Sequence, residues 1–203
     1  LLFFTETGTY GYLPIYELED AKWKDMGAHI SSRIRITSQE KILSACVLSR
    51  FDTAGYILTL TKRGMIKRTA IRDYASSRTS KTMTNIKLEE GDSVIACLFA
   101  QEEDEILIAS QSGYVTRYPI TLVPQTSTRS KGVRAMNLSE EEVAAACIHH
   151  QDNAQLLIIS DQCAMKRVKL TDIPVLGRPT RGVRVCKRLK SKPYVIAHIR
   201  TYQ

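Results

Sequence analysis

Thr61-Lys62-Arg63-Gly64-Met65-Ile66-Lys67-Arg68 comes back as Ser110-Gln111-Ser112-Gly113-Tyr114-Val115-Thr116-Arg117 and again as Ser160-Asp161-Gln162-Cys163-Ala164-Met165-Lys166-Arg167. A looser version, Thr5-Glu6-Thr7-Gly8-Thr9-Tyr10-Gly11-Tyr12, stands near the start of the chain. The closing arginines Arg68, Arg117 and Arg167 are spaced 49 and 50 residues apart. A second marker keeps the same beat: Ala45-Cys46-Val47, Ala96-Cys97-Leu98, Ala146-Cys147-Ile148 and Ala197-His198-Ile199 recur at 51, 50 and 51. A fixed period of this size marks one supersecondary unit stacked several times, as in a propeller or a solenoid.

Working outward from the turn, each repeat reads as four strands. A short apolar run comes first (Leu1–Phe4, Tyr56–Leu60, Glu105–Ala109, Leu156–Ile159), followed by the turn, where glycine takes positive φ without a steric cost. The next strand alternates apolar and basic residues, as in Met65–Ile71, which predicts one buried and one wet face. A polar stretch follows, such as Pro124–Ser130 or Asp172–Thr180. The third strand is expected at His29–Ile36, Thr82–Leu88, Gly132–Leu138 and Gly182–Leu189, and the fourth at Ile42–Leu48, Val94–Phe99, Val143–Ile148 and Val195–Ile199. The fold class is therefore all-β, a propeller-like disc of four-stranded blades in a single domain over residues 1–203, with approximate repeats 1–50, 51–100, 101–150 and 151–203. Glu17–Asp25 leaves room for one helical turn at most.

A chain that is 43% hydrophobic and 25% charged has the composition of an ordinary soluble globular domain. No apolar run approaches the roughly 20 residues of a membrane helix. Leu1–Phe4 lacks the basic flank and cleavage site of a signal peptide, and a chain opening inside a strand suggests a piece of something longer. Cys46, Cys97 and Cys147 share one repeat position on a strand, where cysteine acts as a small buried hydrophobe, and no CxxC pair occurs. A reducing, cytoplasmic compartment is expected. The net charge of +8 is uneven: residues 1–50 balance, 51–100 carry +3, 101–150 carry −3 and 151–203 carry +8. A basic surface attracts polyanions, and the last repeat should attract them most.

Enzyme motifs are missing: no GxSxG, no HExxH, no phosphate-cradling or dinucleotide glycine loop. His149-His150 reads as a chance surface pair. The acidic runs Glu89-Glu90-Asp92, Glu102–Glu105 and Glu140–Glu142 read as solvated turns. The basic residues behave differently because they keep register with the repeat. Arg68, Arg117 and Arg167 form one ladder, joined by the neighbouring Lys67 and Lys166. Lys81, Lys131 and Arg181 form a second, at spacings of 50 and 50. Arg78 and Arg178 precede Lys81 and Arg181 by three residues and Arg129 precedes Lys131 by two, while Arg134 and Arg184 follow Lys131 and Arg181 by three. On an outer rim these side chains make a curved cationic band suited to neutralising the phosphates of a bent duplex without reading bases. Protection of strand edges by the same cations is the competing explanation, and a scaffold that binds acidic proteins is the competing function. Lys166, Arg167, Arg178, Arg181 and Arg184 rank first as contacts because local charge peaks there.

The stretch Pro14-Ile15-Tyr16-Glu17-Leu18-Glu19-Asp20-Ala21-Lys22-Trp23-Lys24-Asp25-Met26-Gly27-Ala28-His29-Ile30-Ser31 resembles the corresponding segment of bacterial topoisomerase IV A subunits of the Gram-positive type, and Gly64–Arg68 resembles the blade turn they share with gyrase A subunits. The similarity runs from Leu1 to Gln203 and concerns their C-terminal DNA-binding domain alone. It implies a β-pinwheel, in which neighbouring blades exchange strands, with duplex DNA bending around the perimeter in support of ATP-dependent decatenation, relaxation and chromosome segregation. It implies no catalytic residue, no metal and no cofactor in this domain, Mg2+ and ATP being used elsewhere in such enzymes. The implied partners are DNA, the B subunit through other domains of the same polypeptide, and a second copy of that polypeptide through its N-terminal region, in the bacterial cytoplasm at the nucleoid and away from membranes. Gln125-Thr126-Ser127-Thr128-Arg129-Ser130-Lys131-Gly132 keeps only the final Lys-Gly of the gyrase wrapping box, which makes a gyrase-type wrapping domain the second choice.

Overall fold

The fifty-residue unit folds as an antiparallel sheet whose last strand belongs to its neighbour. The computed structural model describes residues 1–37, 40–150, 154–186 and 195–202. The first repeat supplies β1 (Leu2–Thr5), β2 (Thr9–Tyr12) and β3 (Ile42–Cys46). The second supplies β4 (Tyr56–Thr61), β5 (Met65–Ala70), β6 (Met83–Thr84) and β7 (Val94–Ala100); the third β8 (Glu105–Ser110), β9 (Tyr114–Pro119), β10 (Val133–Arg134) and β11 (Val143–His149). The fourth supplies β12 (Gln155–Ser160), β13 (Met165–Lys169), β14 (Val183–Arg184) and β15 (Ile196–Tyr202). Pairing runs β3-β1-β2-β6, β7-β4-β5-β10, β11-β8-β9-β14 and β15-β12-β13. Thus β6, β10 and β14 each leave their own repeat to edge the preceding blade.

The third strands are therefore far shorter than the sequence predicts, two residues each, and His29–Ile36 instead holds a 3-10 turn at Ile30–Ser32. The tail of the predicted Gly182–Leu189 strand lies outside the described residues. A glycine just before the crossing makes the exchange possible at β10 and β14. Gly132 sits at φ +81°, and a Cβ there would stand 2.5 Å from the Ile66 carbonyl oxygen of the preceding blade. Close backbone approach and positive φ together admit glycine and little else.

Blades pack face to face. Leu58, Leu60, Ile66, Ile106, Ile108 and Tyr118 share one buried cluster between the second and third sheets. Leu107, Val115, Leu156, Ile158 and Ile196 share another between the third and fourth. A recurring irregularity in register, at Phe4/Thr5, Leu60/Thr61 and Ile159/Ser160, falls beside each turn, where a bulge increases local twist. The closing strands lie side by side, β3 against β7, β7 against β11 and β11 against β15, so they form the inner side of the arc. The donated strands, at the opposite end of each sheet, form its perimeter.

The expected wet face of Met65–Ala70 is dry. Lys67 and Thr69 are fully buried and Arg68 nearly so. The polar stretch of the following repeat covers them: the Thr126 N–H donates to the Arg68 carbonyl at 2.8 Å, and Lys67 Nζ to the Ser127 carbonyl at 3.2 Å. β13 is the counterpart of β5 with no such cover among the described residues, and four of its five residues are exposed.

Candidate nucleic-acid interface

Where a donated strand meets the perimeter, its flanking cations face solvent. Lys81, Lys131 and Arg181 stand at equivalent places just before β6, β10 and β14, and all three are exposed. Arg134 and Arg184 lie on β10 and β14, also exposed, opposite Met65 and Tyr114 in register. Two guanidiniums share one platform: Arg181 lies 4.1 Å and Arg184 5.3 Å from the Tyr114 ring centre. Such stacking holds an arginine outward with its N–H fork free for an anion. The anionic neighbours are loose, Glu89 at 3.7 Å from Lys131 and Glu141 at 3.3 Å from Arg181. The Lys131–Glu89 pair is exposed and contributes about 0–1 kcal/mol, so a phosphate displaces Glu89 readily.

The first ladder is not part of this rim, which corrects the expectation for Lys67, Arg68 and Arg117. Lys67 donates to the Asn85 and Ser127 carbonyls from a fully buried position. The Asn85 side chain continues the network, accepting from the Tyr74 hydroxyl at 2.8 Å and donating to Thr59 Oγ1 at 2.9 Å. Burial pulls the Lys67 ammonium down to about 8. Arg68 stacks 4.6 Å from the Tyr56 ring centre and pairs with Glu102 at 3.1 Å. Arg117 pairs with Glu105 at 2.6 Å and donates to the Leu170 carbonyl at 3.1 Å, tying the third blade to the fourth repeat. Equal spacing therefore describes an inter-blade joint, made of cations that the next repeat covers.

The fourth repeat shows the same joint half made. Lys166 Nζ donates to the Val185 carbonyl at 2.7 Å, as Lys67 does to Asn85, yet Lys166 and Arg167 are exposed. Arg167 makes no side-chain hydrogen bond or ion pair among the described residues, and Gln155 holds the strand position that Glu105 holds beside Arg117. Arg178 is likewise committed, donating to the Leu122 carbonyl at 3.1 Å and the Arg134 carbonyl at 2.7 Å. Arg78 at the equivalent position, and Arg129 one place out of register with it, are exposed and make no side-chain hydrogen bond or ion pair among the described residues.

Several residues carry more structure than the sequence implied. Arg35 and Lys87 occupy the same place after the crossing segment, each bonding through its N–H to the next repeat, and both are exposed. They supply perimeter charge in the two repeats that have Ser32 and Thr84 where the later ones have Arg134 and Arg184. The acidic turns are anchored as well as solvated. Asp104 is buried, accepts the Gln101 N–H at 2.6 Å and pairs with His150 at 2.6 Å; His149 is buried. Burial pushes the Glu141 carboxyl up, but hydrogen bonds from Ser112, Ser110 and Arg181 outweigh it and hold it below the usual range. Burial raises the Cys97 and Cys147 thiols to about 12, as inert core residues require, whereas Cys163 at φ +59° is exposed on its turn. Among the described residues no three His, Cys, Asp or Glu side chains converge on a metal site, and no helix is long and apolar enough to cross a membrane.

A family model described as DNA gyrase C-terminal domain, beta-propeller, matches residues 55–101, 104–148 and 154–200. The A subunit of Bacillus subtilis DNA topoisomerase 4 is 36% identical over 134 residues, and its counterpart in Streptococcus pneumoniae serotype 4 is 36% identical over 137 residues. Each alignment covers 66% of this chain and 17% of the relative, so the match spans a small part of the relatives' length. A solved C-terminal domain of DNA topoisomerase IV superposes with a TM-score of 0.94 at 32% identity, over 100% of this chain and 63% of that one. The Escherichia coli ParC C-terminal domain, at 17% identity and TM-score 0.76 over 99% of this chain and 80% of that one, shares the fold.

Proposed function

Because the chain belongs to the C-terminal β-propeller family of topoisomerase IV and gyrase A subunits, we propose that it binds and bends duplex DNA along its outer rim for a topoisomerase IV whose strand-cleavage chemistry lies in other domains. One observation carries this: Lys81, Lys131, Arg181, Arg134 and Arg184 stand exposed at repeated positions around the perimeter. A rigid arc that offers cations at fixed intervals neutralises phosphates along a curved duplex, with sequence preference arising only from how easily the DNA bends. The service to the whole enzyme is decatenation and relaxation in the bacterial cytoplasm. Other domains engage ATP, Mg2+ and the B subunit, and they dimerise the cleavage core.

The test is a salt titration on a duplex of about 40 base pairs carrying donor and acceptor dyes at its ends. Five phosphate contacts predict a log–log slope of about −4.5, with energy transfer rising on binding. Binding with a shallow slope and unchanged transfer overturns the proposal in favour of a protein-binding scaffold.

A further inference from the structure

A groove of about 280 Å3 opens on the rim where the second repeat meets the first and third. Arg78 and Arg129 line it together with the hydroxyl residues Ser76, Thr84 and Thr128. Among the described residues both guanidiniums are idle, whereas Arg178, which stands where the second repeat has Arg78, is spent on two backbone carbonyls. Arg129 is also held at φ +71°, a left-handed conformation that a non-glycine residue rarely keeps without compensation, fixed by its N–H donating to the Asn85 carbonyl at 3.0 Å. That conformation brings its charge close enough to the buried Tyr10 hydroxyl to pull against the rise that burial imposes there. Arg78 is set by its own N–H, which donates to Ser76 Oγ at 3.0 Å.

The single acid on the wall, Asp73, pairs with neither arginine and interacts instead with the Lys67 ammonium buried behind the groove. Two unneutralised forks and three hydroxyls facing one cleft are the donor set of a phosphate oxyanion. Resting on the DNA-binding reading above, we propose that this groove is a phosphate site, in which Arg78 and Arg129 jointly clasp one backbone phosphodiester and set the register of the duplex where three repeats meet.

Arg78→Gln combined with Arg129→Gly, the glycine keeping the positive φ, tests it in the whole chain. If one phosphate is shared, the double variant lowers the magnitude of the DNA salt slope by about 0.9, and Arg78→Gln alone, which leaves Arg129 on the same phosphate, lowers it by less. An unchanged slope in the double variant overturns the proposal, and so does a drop of about 1.8 there, which means two independent contacts. Inorganic phosphate, followed by backbone amide shifts, separates this site from the wider reading. Saturable shifts confined to residues 76–84 and 127–131, abolished in the double variant, support the groove even if no duplex binds. Their absence in a chain that still binds DNA with an unaltered slope in the double variant sinks the groove and leaves the rim standing.

Discussion

Replacing Lys67 with methionine separates a joint cation from a rim cation. Lys67 is fully buried, and burial lowers its ammonium from 10.5 to about 8. The sign follows from proton counting. Between pH 8 and 10.5 the unfolded chain holds this proton and the folded chain has released it, so stability rises with pH across that window. Below pH 8 both states are protonated and the desolvation cost is present in full; above 10.5 it is gone. A shift of that size corresponds to about 3 kcal/mol. Methionine removes that cost but strands the Asn85 and Ser127 carbonyls, at about 1–3 kcal/mol each. At pH 7 these effects largely offset, and the variant unfolds within about 2 kcal/mol of the parent. At pH 10.5 the parent has gained about 3 kcal/mol that the variant has not. Urea unfolding at the two pH values measures the difference, and taking variant minus parent cancels the other titrating groups. DNA affinity of the folded variant is expected to be unchanged. A pH-independent stability gap, together with lost DNA affinity, would refute the assignment and return Lys67 to the binding surface.

Gly132→Ala forces a Cβ to within 2.5 Å of the Ile66 carbonyl at positive φ and should cost about 2–4 kcal/mol, whereas Gly177→Ala, with nothing within 4 Å, should change the urea midpoint little. Arg117→Met leaves Glu105 unpaired in a nearly buried site and should destabilise by about 3–5 kcal/mol, while Arg167→Gln at the uncovered equivalent stays within about 0.5 kcal/mol. Arg181→Gln with Arg184→Gln should reduce the DNA salt slope by about 1.8 without moving the thermal midpoint; a fall in midpoint with no change of slope makes these residues structural. In Arg117→Met, assayed where it is still folded, the end-to-end energy transfer of bound DNA should fall more than the affinity does.

The repeat, the glycine turns and the all-β class were legible because they are local: a hairpin writes its turn and its alternation into a dozen residues. Strand exchange was not. A two-residue strand such as Val133–Arg134 has no periodicity to detect, and its partner Met65–Ile66 lies in another repeat. The same blindness merged the two cationic ladders. Arg117 and Lys131 both keep a fifty-residue beat, yet a covering segment from the next repeat decides which one meets solvent. Two signals were available. Glu105 precedes the turn in the same hairpin as Arg117, an acid placed to receive a buried guanidinium. Lys131 and Arg181 are each followed directly by glycine, which marks the backbone crossing at the perimeter.

Joint and rim divide the work of one basic composition. Affinity for a polyanion depends on how many cations release counterions, and it is nearly indifferent to how rigidly they are held. Bending is different: curving a duplex of a few tens of base pairs costs on the order of 1–6 kcal/mol, and a compliant scaffold would straighten before the DNA curved. On the proposed function, the buried cations therefore act on the path of the DNA through the scaffold rather than by contact. Lys67 and Arg117 bind each blade to backbone carbonyls of the next repeat, and that fixes the angle at which Lys81, Lys131 and Arg181 are presented. On the proposed function, the rim supplies affinity for DNA and the joints supply the stiffness that dictates its path.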